Sequence, residues 1–181
     1  MKKLVLLTIT MAMMMLMSSV AFAQAGNNAS GTLTVTATVN SSINLVFNSD
    51  AAGVPLSSGA GTNTATLAFG NVSAFGPVAA NVTRTVVPNT SFTVSTPVDV
   101  LVTKANSSSA NYKLTAQLGS ADATNTWQVA GNTVTNASAT TITLTGTYGS
   151  NASEAIAITV PFATASGTSI SNTIAFTATS N

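Results

Sequence analysis

The chain contains no cysteine and no histidine. The first absence rules out disulfides, and the two together remove the Ser-His and Cys-His nucleophile systems and the usual Zn and Cu ligand sets. Charge is nearly as scarce, with five Lys and Arg against four Asp and Glu in 181 residues. Solubility therefore rests on the hydroxyls and amides of Ser, Thr and Asn, and little electrostatic repulsion keeps copies apart. Aromatic residues are few, one Trp, two Tyr and seven Phe, and no window sustains the 3.6-residue apolar period of an amphipathic helix.

One long apolar run is present, at the start. Residues 1–23 carry Lys2 and Lys3, an apolar stretch from Leu4 to Met17, and Ala21-Phe22-Ala23, a small-x-small pattern. This reads as a Sec signal peptide, because the run is shorter than the ~20 residues a spanning helix needs and a cleavage site follows it. Removing it leaves Arg84, Lys104 and Lys113 against Asp50, Asp99, Asp122 and Glu154, a net charge of −1. Three scattered cations make no basic patch, so binding of nucleic acid or anionic lipid is not expected. The product is expected to be exported, without a transmembrane segment after signal cleavage.

What the chain does contain is strand pattern. Residues 32–39, TLTVTATV, alternate Leu33, Val35, Ala37 and Val39 with Thr32, Thr34, Thr36 and Thr38. Residues 43–47 place Ile43, Leu45 and Phe47 on one face, with residues 48–63 a Gly/Ser/Ala-rich loop and 64–69 a further short strand. Pro77, Pro88 and Pro97 are expected to confine residues 71–97 to short edge segments, the clearest at 82–87 and 92–94. Residues 98–104 and 112–118 read as a hairpin across residues 105–110. Residues 127–129 and 133–135 read as another across Ala130-Gly131-Asn132. Strands follow at 140–148, 155–160 and 170–179, the last with Ile170, Asn172, Ile174, Phe176 and Ala178 on one face. Many short strands between turn signals predict an all-β sandwich of one domain.

Candidate chemistry is thin. The four acids lie apart in sequence beside predicted turns and read as solvated loop residues, without the separation fixed by a glycosidase pair or the dense spacing of a Ca²⁺ loop. No catalytic, metal or cofactor site is expected, and the chain is not read as an enzyme. Trp127, Tyr112 and Tyr148 read as core aromatics rather than a sugar-stacking platform. Thr-x-Thr segments lack the fixed period of an ice-binding array. Asn-x-Ser/Thr triplets are what chance supplies in such a composition. An outer-membrane barrel is disfavoured by the few Trp and Tyr and the short strands.

Three segments together resemble the spore coat protein U-like domain, the fold of archaic chaperone–usher pilins. They are Gly31 and TLTVTATV followed by the strand from Ile43; Leu67-Ala68-Phe69-Gly70, similar to the family's L-x-F-G; and Gly167-Thr168-Ser169 with residues 171–178, similar to its C-terminal strand. The chain departs from that family in having no Cys after the arm. The resemblance implies an immunoglobulin-like β-sandwich, lacking one strand and completed by donor-strand exchange. It divides the chain into signal peptide (1–23), donor arm (24–40) and sandwich (41–181). Leu33, Val35, Ala37 and Val39 would then fill the groove of the next copy, lined by Ile174, Phe176 and Ala178. It implies a pilin-like fibre or coat at the cell surface serving adhesion or biofilm formation, with other copies, a periplasmic chaperone and an outer-membrane usher as partners. The rival reading is a monomeric secreted module, binding carbohydrate or another surface ligand, whose arm folds back as its own first strand.

Overall fold

A computed structural model describes residues 31–181. The signal peptide read at 1–23 and the first residues of the arm lie outside them. Among the described residues there is no helix, and none of them forms a helix long and apolar enough to cross a membrane. Residues 31–38 belong to one unit and form no strand. Residues Val39–Asn181 form the other, with nine strands: β1 (Ser42–Asn48), β2 (Thr83–Val87), β3 (Ser91–Ala105), β4 (Asn111–Leu118), β5 (Thr126–Val129), β6 (Asn132–Val134), β7 (Thr140–Thr147), β8 (Asn151–Pro161) and β9 (Ile174–Ser180).

All pairings are antiparallel. Six strands form one sheet in the order β1-β3-β8-β5-β6, with β2 also on β3, and three form the other, β7-β4-β9. The period of two along β3 turns Phe92, Val94, Val98, Val100 and Val102 inward, where β8 adds Ile156, Ile158 and Val160. Tyr112, Leu114, Ala116 and Leu118 of β4 supply the opposing layer. The two sheets thus face each other across a shared core, the arrangement of a β-sandwich.

β3 corrects two expectations. Residues 92–94 and 98–104 are parts of one fifteen-residue strand that runs straight through Pro97. Proline is tolerated there because β2 pairs only as far as Ser95 and β1 begins at Asp99. In that gap the Pro97 carbonyl meets Gly53 so closely that a Cβ on Gly53 would lie 2.0 Å from its oxygen. The N and C=O of one strand residue point to the same flank, so the missing donor faces a place where no ladder needs it. The second correction is the hairpin of residues 98–104 with 112–118. β3 and β4 lie in different sheets, and residues 106–110 turn the corner between them.

The strand expected at 64–69 is also absent. Only isolated bridges, Ser58 to Thr66 and Phe47 to Thr62, occur there. A three-stranded sheet cannot cover a six-stranded one, and Leu67, Phe69, Val72 and Val82 of the long β1–β2 connection pack half-buried against the core instead. Buried Thr96 anchors this connection, its Oγ1 accepting from Val54 N at 2.7 Å and donating to Asn81 O at 2.9 Å. The β5–β6 hairpin forms as expected but with a tighter turn, since Val129 pairs with Asn132 and Ala130 and Gly131 both take positive φ (48° and 76°). β9 starts at Ile174, four residues later than the pattern suggested. On the outer face of the large sheet, register aligns Thr85, Thr93, Thr159 and Thr126 in one row.

Candidate functional site: an uncovered flank between two edge strands

β1 and β9 end their respective sheets. Among the described residues the only strand beside β1 is β3 and the only strand beside β9 is β4. At Phe47 the outer edge of β1 is bonded to the β1–β2 connection, through Phe47 N to Thr62 O and Gly61 N to Phe47 O, and the rest of each outer row has no strand partner. The two strands touch where the Phe47 and Phe176 rings meet edge to face, centroids 5.3 Å apart. The inward side chains along both, Ile43, Leu45 and Phe47 on β1 and Ile174, Phe176 and Ala178 on β9, pack against the core yet remain half-buried. What they form is an apolar strip between two edge strands, open along β9 and along β1 up to Phe47, a shape that takes an extended strand.

Ile174, Phe176 and Ala178 were expected on such a groove and lie together on β9. Ile43, Leu45 and Phe47 were not singled out for it. Their common face was visible in the alternation, but which strand lies beside them depends on the order of strands in two sheets.

The proposed donor residues stand apart from any ladder. The strand expected over residues 32–39 does not form, and Leu33, Val35 and Val39 are 85%, 80% and 73% exposed. An isolated strand has nothing to bond its backbone groups or cover its apolar side.

The acids are not all solvated loop residues as expected. Glu154 lies on the inner side of β8 at 6% exposure, and burial pushes its carboxyl above the ordinary value of 4.5. Asp99 lies within β3, raised by burial and then by the charge of Asp50, while Asn151 Nδ2 donates to it at 2.9 Å. Asp50 is lowered by the Ser153 hydroxyl and then the Ala52 N–H. Asp122 is the most strongly held: burial opposes its charge, but the Asn125 N–H, the Trp127 indole, the Asn125 amide and the Thr124 N–H outweigh it and bring the carboxyl to about 2.

The aromatics do not converge on a platform. Trp127 lies in the core between β5 and β4, whereas Tyr112 packs with Tyr148 at 5.3 Å in the other core cluster, below the Lys104 ammonium, 4.9 Å from the Tyr148 ring centroid. The chain matches no family model, no curated protein and no solved structure.

Proposed function

We propose that the chain is an exported structural subunit that assembles head to tail into a surface fibre or coat by donating residues 32–39 to the next copy. The observation that supports this reading is an exposed alternating segment and a half-covered apolar strip in the same chain. An alternating apolar segment stands outside every ladder with its side chains exposed, and a half-covered apolar strip lies between two edge strands, β9 and the part of β1 before Phe47 having no strand partner on the outer side. Burying Leu33, Val35 and Val39 is worth about 5–9 kcal/mol at ~1.5–3 kcal/mol per side chain, before the edge hydrogen bonds are counted. That is on the scale of a whole domain's stability, about 5–15 kcal/mol. Donation in one direction is a head-to-tail contact, which propagates as a filament when its rotation does not close a ring.

In this reading the sandwich is immunoglobulin-like and short of one strand. Its route is the Sec signal peptide and the periplasm, with a chaperone covering the strip until an usher exchanges it for an arm. Adhesion or biofilm formation is the use such a fibre serves. The rival, a monomeric secreted module, requires residues 32–39 to be a strand of their own sandwich. Deleting residues 24–39 tests the choice. The truncated chain should remain folded and exported but form no filaments by electron microscopy, and a synthetic peptide of residues 32–39 should bind it. Filaments that persist without the arm would sink the proposal, and an intact chain that stays monomeric at every concentration in size exclusion would favour the rival.

A further inference from the structure

Residues 32–39 do not fix their own register. They repeat threonine and an apolar residue with a period of two, so a slip of two residues keeps every apolar side chain on one face and every threonine on the other. A joint that relied on the arm alone would form in several registers. A single register has to be set by the receiving side.

That side has one feature able to set it, at Phe47. The N–H and C=O of a strand residue point to one flank, and those of its neighbours to the other. Phe47 turns both groups outward, its N–H donating to Thr62 O at 2.8 Å and its C=O accepting from Gly61 N at 2.6 Å. Ile43 and Leu45 share that flank, and no backbone group of the described residues bonds them there. On β9 the odd-numbered residues turn to β4, since Gly119 N donates to Thr173 O and Asn181 N to Asn111 O. Ile174, Phe176 and Ala178 therefore face the open edge. The strip is free on β1 at Ile43 and Leu45 and shut at Phe47, where the Phe176 ring also meets the Phe47 ring.

What shuts it is a well-bonded hairpin. Ser57 N donates to Thr66 O at 2.8 Å and Thr66 N to Ser58 O at 3.0 Å, while the Ser58 hydroxyl donates to Thr66 Oγ1 at 3.0 Å. At its tip Thr62 N donates to Gly59 O at 3.0 Å. On either side of it Leu56 and Leu67 pack half-buried against the core. A segment tied at both ends and across its middle is a wall to an arriving strand.

We infer that residues 57–66 are a stop that sets the depth of the incoming arm, letting it pair with β1 at Ile43 and Leu45 and no further. The inference rests on the fibre reading and gives that fibre one joint geometry. With no cysteine in the chain, disulfides between introduced cysteines report the register. Asn44, exposed between Ile43 and Leu45, is changed to Cys in one full-length chain, and Thr32, Thr34, Thr36 or Thr38 to Cys in another. Mass spectrometry then identifies the linked residues in mixed assemblies. One arm position should give several-fold more linked product than the other three. Gly61→Pro in the receiving chain removes the donor to Phe47 O and cannot take the φ of 79° found there, so links should spread to positions two residues apart. Amide exchange of the unaltered chain supplies a second measurement: on assembly Ile43 and Leu45 should gain protection while Phe47 and Gly61 keep theirs. Comparable links at several positions beside the intact hairpin would overturn the stop and leave the fibre reading standing. So would an unchanged single position in the folded Gly61→Pro variant, filaments without any link, or loss of Phe47 and Gly61 protection on assembly. Absence of both links and filaments would remove the two together.

Discussion

The interior between β3 and β4 and the strip between β1 and β9 are made of the same kinds of residue in the same alternation, and they end up differently. Val100, Val102, Tyr112 and Leu114 are at most 1% exposed, each covered by the opposite sheet. Ile43, Leu45, Phe47, Ile174, Phe176 and Ala178 all stay half-covered. Composition does not distinguish them. What differs is position: the first group lies between the two sheets, the second on strands that end them, where one side has no further strand of the sheet.

Truncation of one leucine in each region sharpens the contrast most. Leu114→Ala should cost about 3–5 kcal/mol in urea unfolding whatever the state of assembly, because it opens a cavity in a closed core. Leu45→Ala should cost about 1–2 kcal/mol in the unassembled chain, where the side chain is only half-removed from water, and distinctly more once the arm peptide is bound. Equal losses in both states would mean the strip is already closed. Next in size is Gly146→Ala. A Cβ there would lie 2.2 Å from the Tyr112 ring, inside the closed region, so the ring must shift at a cost of about 2–3 kcal/mol. A neutral result in thermal unfolding would show that the closed half is looser than its burial implies.

The smallest effect is a dependence on pH. Glu154 is raised above 4.5 in the folded chain, so between 4.5 and its folded value the native state binds the extra proton. Stability from this group is full below 4.5 and is lost as pH rises through the folded pKa. Asp99 shifts in the same direction and Asp50 and Asp122 in the opposite one, so the difference between the wild type and Glu154→Gln isolates the effect. The variant should gain on the wild type in denaturant midpoint as pH increases from 4 to 8, and a gap independent of pH would place the carboxyl in water.

Strand identity was legible where alternation was clean, as in β1, β7, β8 and the β5–β6 hairpin. Two kinds of information were not. Pro97 looked like a terminator because its lost hydrogen bond was judged without knowing that the flank it faces is empty. Leu67 and Phe69 looked like a strand because apolar spacing does not tell a half-buried loop from a half-buried ladder. The candidate site was legible by half: the Ile174, Phe176 and Ala178 side belongs to one alternating segment, whereas β1's place beside it comes from the crossing of β3 into β4. The threonine row of the large sheet likewise arises from register across four strands and has no period in the chain.

The placement of β1 also has a mechanical side. Only Asn40 and Ser41 separate Val39 from β1, which pairs with β3 along its whole length from Ser42 to Asn48. In a fibre joined by residues 32–39, tension on the donated segment passes at once into β1 along its own axis. Hydrogen bonds in an antiparallel ladder lie across the strands, so that pull loads all of them in shear together instead of peeling them one at a time. A subunit built this way would take drag along the axis of β1, spread over the seven paired residues of the β1–β3 ladder.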